Sequence, residues 1–193
     1  MRGVIFKAYT EFIKDRFDSK TLDKVLQSDD YPNNGGFSAL GNYKSGYMVA
    51  LINGSSQFFN CTKNEIVRQF GKFTYGYLFN RFKKMYGEQS TILNLEDPFD
   101  FLENLNTLHF AELQKLYPNA KFPEFDIERL DKEHIILEYS SFRDLPYLTY
   151  GLIEGYLEYF NNKATVSMVK TKKQKEINGT ISPVYKFEVR NNG

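Results

Sequence analysis

Over the first two thirds of the chain, apolar positions recur every three or four residues; beyond residue 125 they recur every two. The first recurrence buries one stripe of a helix and the second buries one face of a strand. The pattern therefore predicts a helix over 3–17, with Ile5, Phe6, Tyr9, Phe12 and Ile13 inward, and a second over 19–28 that opens on a Ser19 cap. Pro32, Asn33-Asn34 and Gly35-Gly36 make a loop of 30–42. Helices over 43–59, 62–86 and 97–117 follow, and Pro118 and Pro123 frame an irregular link. The later alternation predicts strands over 125–130 and 134–141, joined at Asp131-Lys132-Glu133, then a helix over 144–161. Strands over 164–171 and 183–190 pair around Asn178-Gly179. The expected fold is α+β in a single domain, 1–193. A helical lobe of about 1–60 packs on a lobe of about 61–193 that carries a four-stranded antiparallel sheet and helices.

Two places in this layout carry chemistry. In the helix over 97–117, Asp97 and Pro98 suit the cap and first position, and Leu102, Leu105, His109, Leu113 and Leu116 recur at spacings of 3, 4, 4 and 3. His109 therefore points inward, while Glu103, Asn106, Phe110 and Gln114 form the outer row. An imidazole among leucines is either a core histidine bonded to a backbone carbonyl or a metal ligand. The second place is Tyr139, Ser141 and Arg143, which share one face if the strand runs through them. Two hydroxyls and a guanidinium suit carboxylates: Arg143 takes one through its planar fork and the hydroxyls take another, as the two propionates of a haem require.

Composition narrows the classes. The 193 residues carry a net charge of +1 with both signs scattered, without the basic stripe of a nucleic-acid binder. The densest basic run, Lys170, Lys172, Lys173 and Lys175, reads as a solvated hairpin tip. The sequence holds neither an apolar stretch of the roughly 20 residues that cross a bilayer nor a signal-peptide core, and a cytoplasmic location is expected. The single cysteine, Cys61, forms no internal disulfide and no local multi-cysteine zinc site. Two histidines, one cysteine and no Gly-rich phosphate loop offer no nucleophile, base and oxyanion set, so an enzyme is not expected. His134 is read as structural or exposed.

In order and spacing these residues resemble the H-NOX (haem nitric oxide/oxygen binding) domain, shared by bacterial gas sensors and the β subunit of soluble guanylate cyclase. The resemblance runs from Met1-Arg2-Gly3-Val4-Ile5-Phe6 through Phe101-Leu102-Glu103-Asn104-Leu105-Asn106-Thr107-Leu108-His109 and Leu116-Tyr117-Pro118. It continues to the Tyr-x-Ser-x-Arg signature and Gly151-Leu152-Ile153-Glu154-Gly155. Many bacterial members carry the histidine one residue later, where this chain has Phe110; cyclase-like members share Leu108-His109 but have one residue fewer before Tyr117. The resemblance implies haem b (iron protoporphyrin IX) between the lobes, His109 on the iron, and Tyr139, Ser141 and Arg143 on the propionates. It implies a haem pocket of Ile5, Tyr9, Thr74, Leu78, Leu105, Pro123, Leu148 and Leu152, a hinge at Gly71, and Pro123 pressing on the porphyrin.

Members that hold dioxygen stably have a tyrosine where this chain has Leu148, which implies selectivity for nitric oxide, with carbon monoxide as a further ligand; Tyr9 or Thr74 is left as a substitute donor. Signalling by release of the histidine and movement of the lobes is implied toward a separate histidine kinase or cyclic-di-nucleotide signalling enzyme, through the helical lobe near 19–60. The alternative is a haem-free ligand- or protein-binding module on the same scaffold.

Overall fold

Gly3–Arg16 forms helix α1 and buries Phe6, Tyr9, Phe12 and Ile13, while Ile5 stays half-buried. The computed structural model describes residues 1–86, 97–107, 114, 121–177 and 179–191. The second helix, α2, is Ser19–Leu26, and its cap is Asp18 rather than the expected Ser19. The Asp18 carboxylate accepts the Thr21 N–H at 2.6 Å, so an acid one residue earlier satisfies the free end of the helix. In the loop of 30–42, Asn33, Asn34 and Gly35 adopt left-handed backbone, which asparagine and glycine tolerate.

The helix expected over 43–59 begins only at Gly46: α3 is Gly46–Ser55, followed by a single 3-10 turn, Ser56–Phe58. Residues before it pair with the start of the chain instead. The Tyr43 N–H donates to the Met1 carbonyl at 2.9 Å, and Arg2 bridges to Asn42. Helix α4, Lys63–Tyr86, spans both lobes. Its Ile66, Val67 and Phe70 join the core of α1, α2 and α3, and its Tyr75 and Phe79 join a second core over the sheet.

The helix expected over 97–117 is interrupted at Asn104 into α5, Pro98–Glu103, and a short α6, Leu105–Thr107. The Asn104 amide folds back to the Asp100 carbonyl at 2.8 Å, a local bond that competes with the continuing helix. His109, Phe110, Leu113 and Leu116 lie outside the described residues. Of the inward stripe, Leu102 is buried and Leu105 half-buried.

Strands β1 (Glu124–Asp131), β2 (His134–Ser140), β3 (Thr165–Ile177) and β4 (Thr180–Arg190) form an antiparallel sheet in the order β1-β2-β4-β3. Phe125, Ile135, Leu137, Tyr139, Phe187 and Val189 face its core side. The last hairpin exceeds the expected 164–171 and 183–190 because both strands run on to the turn at Gly179. Lys172, Lys173 and Lys175 therefore lie within β3 rather than at a tip. Carboxylates hold two of them there: Lys173 meets Glu138 at 2.7 Å, and Lys175 meets Glu124 and Asp126, each at 3.2 Å.

Helix α7, Pro146–Tyr159, crosses α4 backbone to backbone. A Cβ on Gly71 would sit 2.8 Å from the Gly151 Cα and overlap the Leu148 carbonyl oxygen, and one on Gly151 would overlap the Arg68 carbonyl. Beside the crossing, Arg68 grips Glu154 through two bonds of 2.7 and 2.5 Å and lies 4.4 Å over the Tyr150 ring. Among the described residues no helix is long and apolar enough to cross a membrane.

Candidate functional site

A cavity of about 220 Å³ opens between the two cores. Ile5 of α1, Leu78 of α4, Pro123 of the link, and Leu148 and Leu152 of α7 line it, together with Tyr139, Ser141 and Arg143. The last three converge by a route the strand reading does not contain. β2 ends at Ser140, and the chain then turns: the Arg143 N–H reaches the Ser141 Oγ at 3.3 Å, the Asp144 N–H reaches the Ser141 carbonyl at 3.1 Å, and Asp144 takes a φ of 46°. The turn, not a shared pleat, brings Arg143 beside Tyr139.

Arg143 is the electrostatic centre of this corner. One guanidinium nitrogen donates to the Lys121 carbonyl at 2.8 Å, and the group lies 4.2 Å over the Phe142 ring. Its Nε is buried without a hydrogen-bond partner, and among the described residues no carboxylate pairs with it. Burial lowers its pKa below the usual arginine value, with the Tyr139 phenol opposing in part. Met1, Arg2, Arg81 and Lys121 also line the cavity, and none of its described lining residues is acidic. A cation held out of water without an anion costs free energy that an anionic group of a ligand recovers. Tyr139 is 3% exposed; burial raises its pKa, opposed by hydrogen bonding to Ser141 and Thr149. The arrangement suits an apolar ligand that carries carboxylates.

Other singled-out residues lie off the lining. Tyr9 is buried in the helical core, where its hydroxyl pairs with the Ser55 Oγ at 2.6 Å and burial raises its pKa. Thr74 is buried one turn before Leu78 on α4, and its hydroxyl has no hydrogen-bond partner among the described residues. Leu105 packs against the core over the sheet. Gly71 sits at the α4–α7 crossing, and His109 lies outside the described residues. His134 is buried: its Nδ1 takes a bond from Arg190 at 3.2 Å, so its Nε2 donates to Glu188 at 2.9 Å, which makes it a structural link between β2 and β4.

Sequence reasoning did not single out Arg81, Lys121, Phe122, Leu145 or Thr149 as lining residues. A helical signal for Arg81 is present, since it follows Leu78 by three positions on α4. Thr149 carries the same signal, three positions before Leu152 on α7, whereas Leu145 precedes that helix and reaches the cavity through the turn after β2.

A family profile described as haem-NO-binding matches residues 2–168. A comparison with curated proteins gave no match. Among solved structures, the Fe(II) unliganded H-NOX protein from K. algicida is 21% identical, with a TM-score of 0.81, and the match covers 100% of this chain and 98% of that one. The Shewanella woodyi H-NOX in its Fe(II)CO state is 28% identical, with a TM-score of 0.75 and coverage of 100% and 95%. The S. oneidensis H-NOX in its Fe(II)NO state is 19% identical, with a TM-score of 0.77 and coverage of 99% and 100%. Proteins of this kind bind haem and serve as gas-sensor modules rather than enzymes. With a profile match over most of its length and the same α+β fold, the chain belongs to the haem-NO-binding family, the H-NOX domains.

Proposed function

We propose that the chain is a nitric oxide sensor that holds haem b in the cavity between its cores, with His109 as the axial ligand and Tyr139, Ser141 and Arg143 on the propionates. The observation that carries the reading is the half-buried Arg143 guanidinium, its buried Nε unbonded and without a carboxylate among the described residues, at an otherwise largely apolar cavity. Ile5, Leu78, Leu148 and Leu152 form walls suited to a porphyrin face, and Pro123 presses on it. Tyr9, Thr74 and Leu105 back these walls. When bound, the haem would supply a ferrous iron able to take up nitric oxide or carbon monoxide, with His109 as its protein ligand.

The protein's own residues set selectivity and response. Dioxygen draws negative charge as it binds and is favoured by a donor, which Leu148 does not present and which Tyr9 has committed to Ser55; the unbonded Thr74 hydroxyl lies behind the wall rather than on the cavity lining. Release of His109 would free the segment that carries it, and the lobes would shift with Gly71 as the hinge. The signal passes through the helical lobe near 19–60 to a separate histidine kinase or cyclic-di-nucleotide signalling enzyme in the cytoplasm.

Haem reconstitution with absorption spectroscopy tests the proposal. A Soret band is expected for the wild type, lost in His109→Gly and regained with imidazole, and the ferrous protein in air forms no stable dioxygen complex. A wild type that stays colourless would overturn it in favour of a haem-free binding module, and a stable dioxygen complex would overturn the selectivity.

A further inference from the structure

One side chain fastens the start of the segment leading to His109 to the sheet. Arg129, on the edge strand β1, extends its guanidinium to Asp97 at 2.9 Å, to Glu103 at 3.2 Å, and to Asp100 between them. These three carboxylates recur every third position, so they form one stripe from the cap of α5 to its last residue. The arginine is itself held by its own hairpin, donating to the Asp131 carbonyl at 3.2 Å and the Lys132 carbonyl at 3.3 Å, and its side chain is only 19% exposed. Beneath the cluster Phe99 and Leu102 are buried in the core over the sheet. Three carboxylates facing one cation leave the cluster with excess negative charge, so removing Arg129 both cuts the tie and sets the carboxylates against one another.

Among the described residues, the other end is held by one hydrogen bond and by the packing of the half-buried Leu105. Asn106 donates its amide to the Phe125 carbonyl at 2.8 Å, near the start of β1. The segment 97–106 therefore runs antiparallel to β1, with an ion cluster at its far end and one hydrogen bond three residues short of His109. Among the described residues, a pull begun at His109 meets the Asn106 bond first and swings the segment about the cluster.

We propose that Arg129 is a positioning residue for His109, the fixed pivot that sets how readily the segment leading to His109 moves. Its consequence rests on the haem-sensor reading, whereas its geometry does not. The test compares Arg129→Gln, Arg129→Lys and Asp100→Asn in the full chain with Lys173→Gln, which cuts an ion pair on the other side of the sheet.

In the haem-free protein, Arg129→Gln is expected to speed amide hydrogen exchange over 98–107 about tenfold, as local opening becomes easier. In the haem-loaded protein it is expected to change the ratio of histidine-released to histidine-bound nitric oxide complex by about threefold or more. Arg129→Lys and Asp100→Asn fall between, and they carry the test if Arg129→Gln does not fold; Lys173→Gln changes neither readout. Unchanged exchange over 98–107 overturns the anchor, and faster exchange with an unchanged ratio overturns the positioning role. A wild type that takes up no haem overturns the sensor reading instead, with the exchange arm still deciding the anchor.

Discussion

Arg143 shows how one residue trades stability for recognition. Its guanidinium is partly desolvated without a carboxylate beside it among the described residues, a cost that a ligand's acidic arm recovers. Arg143→Met should therefore stabilise the haem-free protein by about 1 kcal/mol in urea unfolding and weaken haem binding by about tenfold or more in titration. Loss of stability in that variant would mean that the contacts with the Lys121 carbonyl and the Phe142 ring outweigh the desolvation. Tyr139, Ser141 and Arg143 were legible as a group because alternate residue types suggested one face, yet the chain reaches that grouping by turning after Ser140. A two-residue period puts 139, 141 and 143 on one face only if the strand continues, and the adjacent Ser140 and Ser141 break the alternation where β2 ends.

At the scale of elements, the α4–α7 crossing is set by glycines with opposite tolerances. Gly151 meets the Arg68 carbonyl so closely that Gly151→Ala must push the helices apart, and a loss of about 3 kcal/mol is expected from thermal or urea unfolding. Gly76, on α4, has no described atom within 4 Å of a Cβ, and Gly76→Ala is expected to add about 0.5–1 kcal/mol by helix propensity. Equal effects of the two changes would refute the close-packing account. The sequence marks both glycines alike, since each interrupts a helical period. The partner that makes one of them necessary comes from 80 residues away along the chain, where Gly151 faces Gly71. The same limit explains α3, whose first turn is lost because residues 42 and 43 pair with residues 1 and 2.

For the whole molecule, α4 belongs to both cores, and the cavity takes its lining from α1, α4, α7 and the turn after β2. A ligand there contacts both lobes at once. Haem loading at about a thousandfold above its dissociation constant should add about 4 kcal/mol, a rise in Tm of roughly 8–16 °C for a chain of this size. Calorimetry with and without haem checks this, and an unchanged Tm would place the ligand outside the shared core.

The sequence by itself determined the order and type of the elements, the inward stripe of α1, the antiparallel sheet and the residues that gather at the cavity corner. Those follow from periodicity, which is a local property of the chain. Tertiary structure alone decided the cap at Asp18, the late start of α3, the interruption at Asn104, the pairing of the β3 lysines with acids on β1 and β2, and the commitment of Tyr9 to Ser55. Most of these depend on which distant group completes a hydrogen bond, an ion pair or a backbone contact, and even the local ones depend on competition between alternative bonds. Hydrophobic patterning says which side of an element is buried, but it does not say what the buried side will touch.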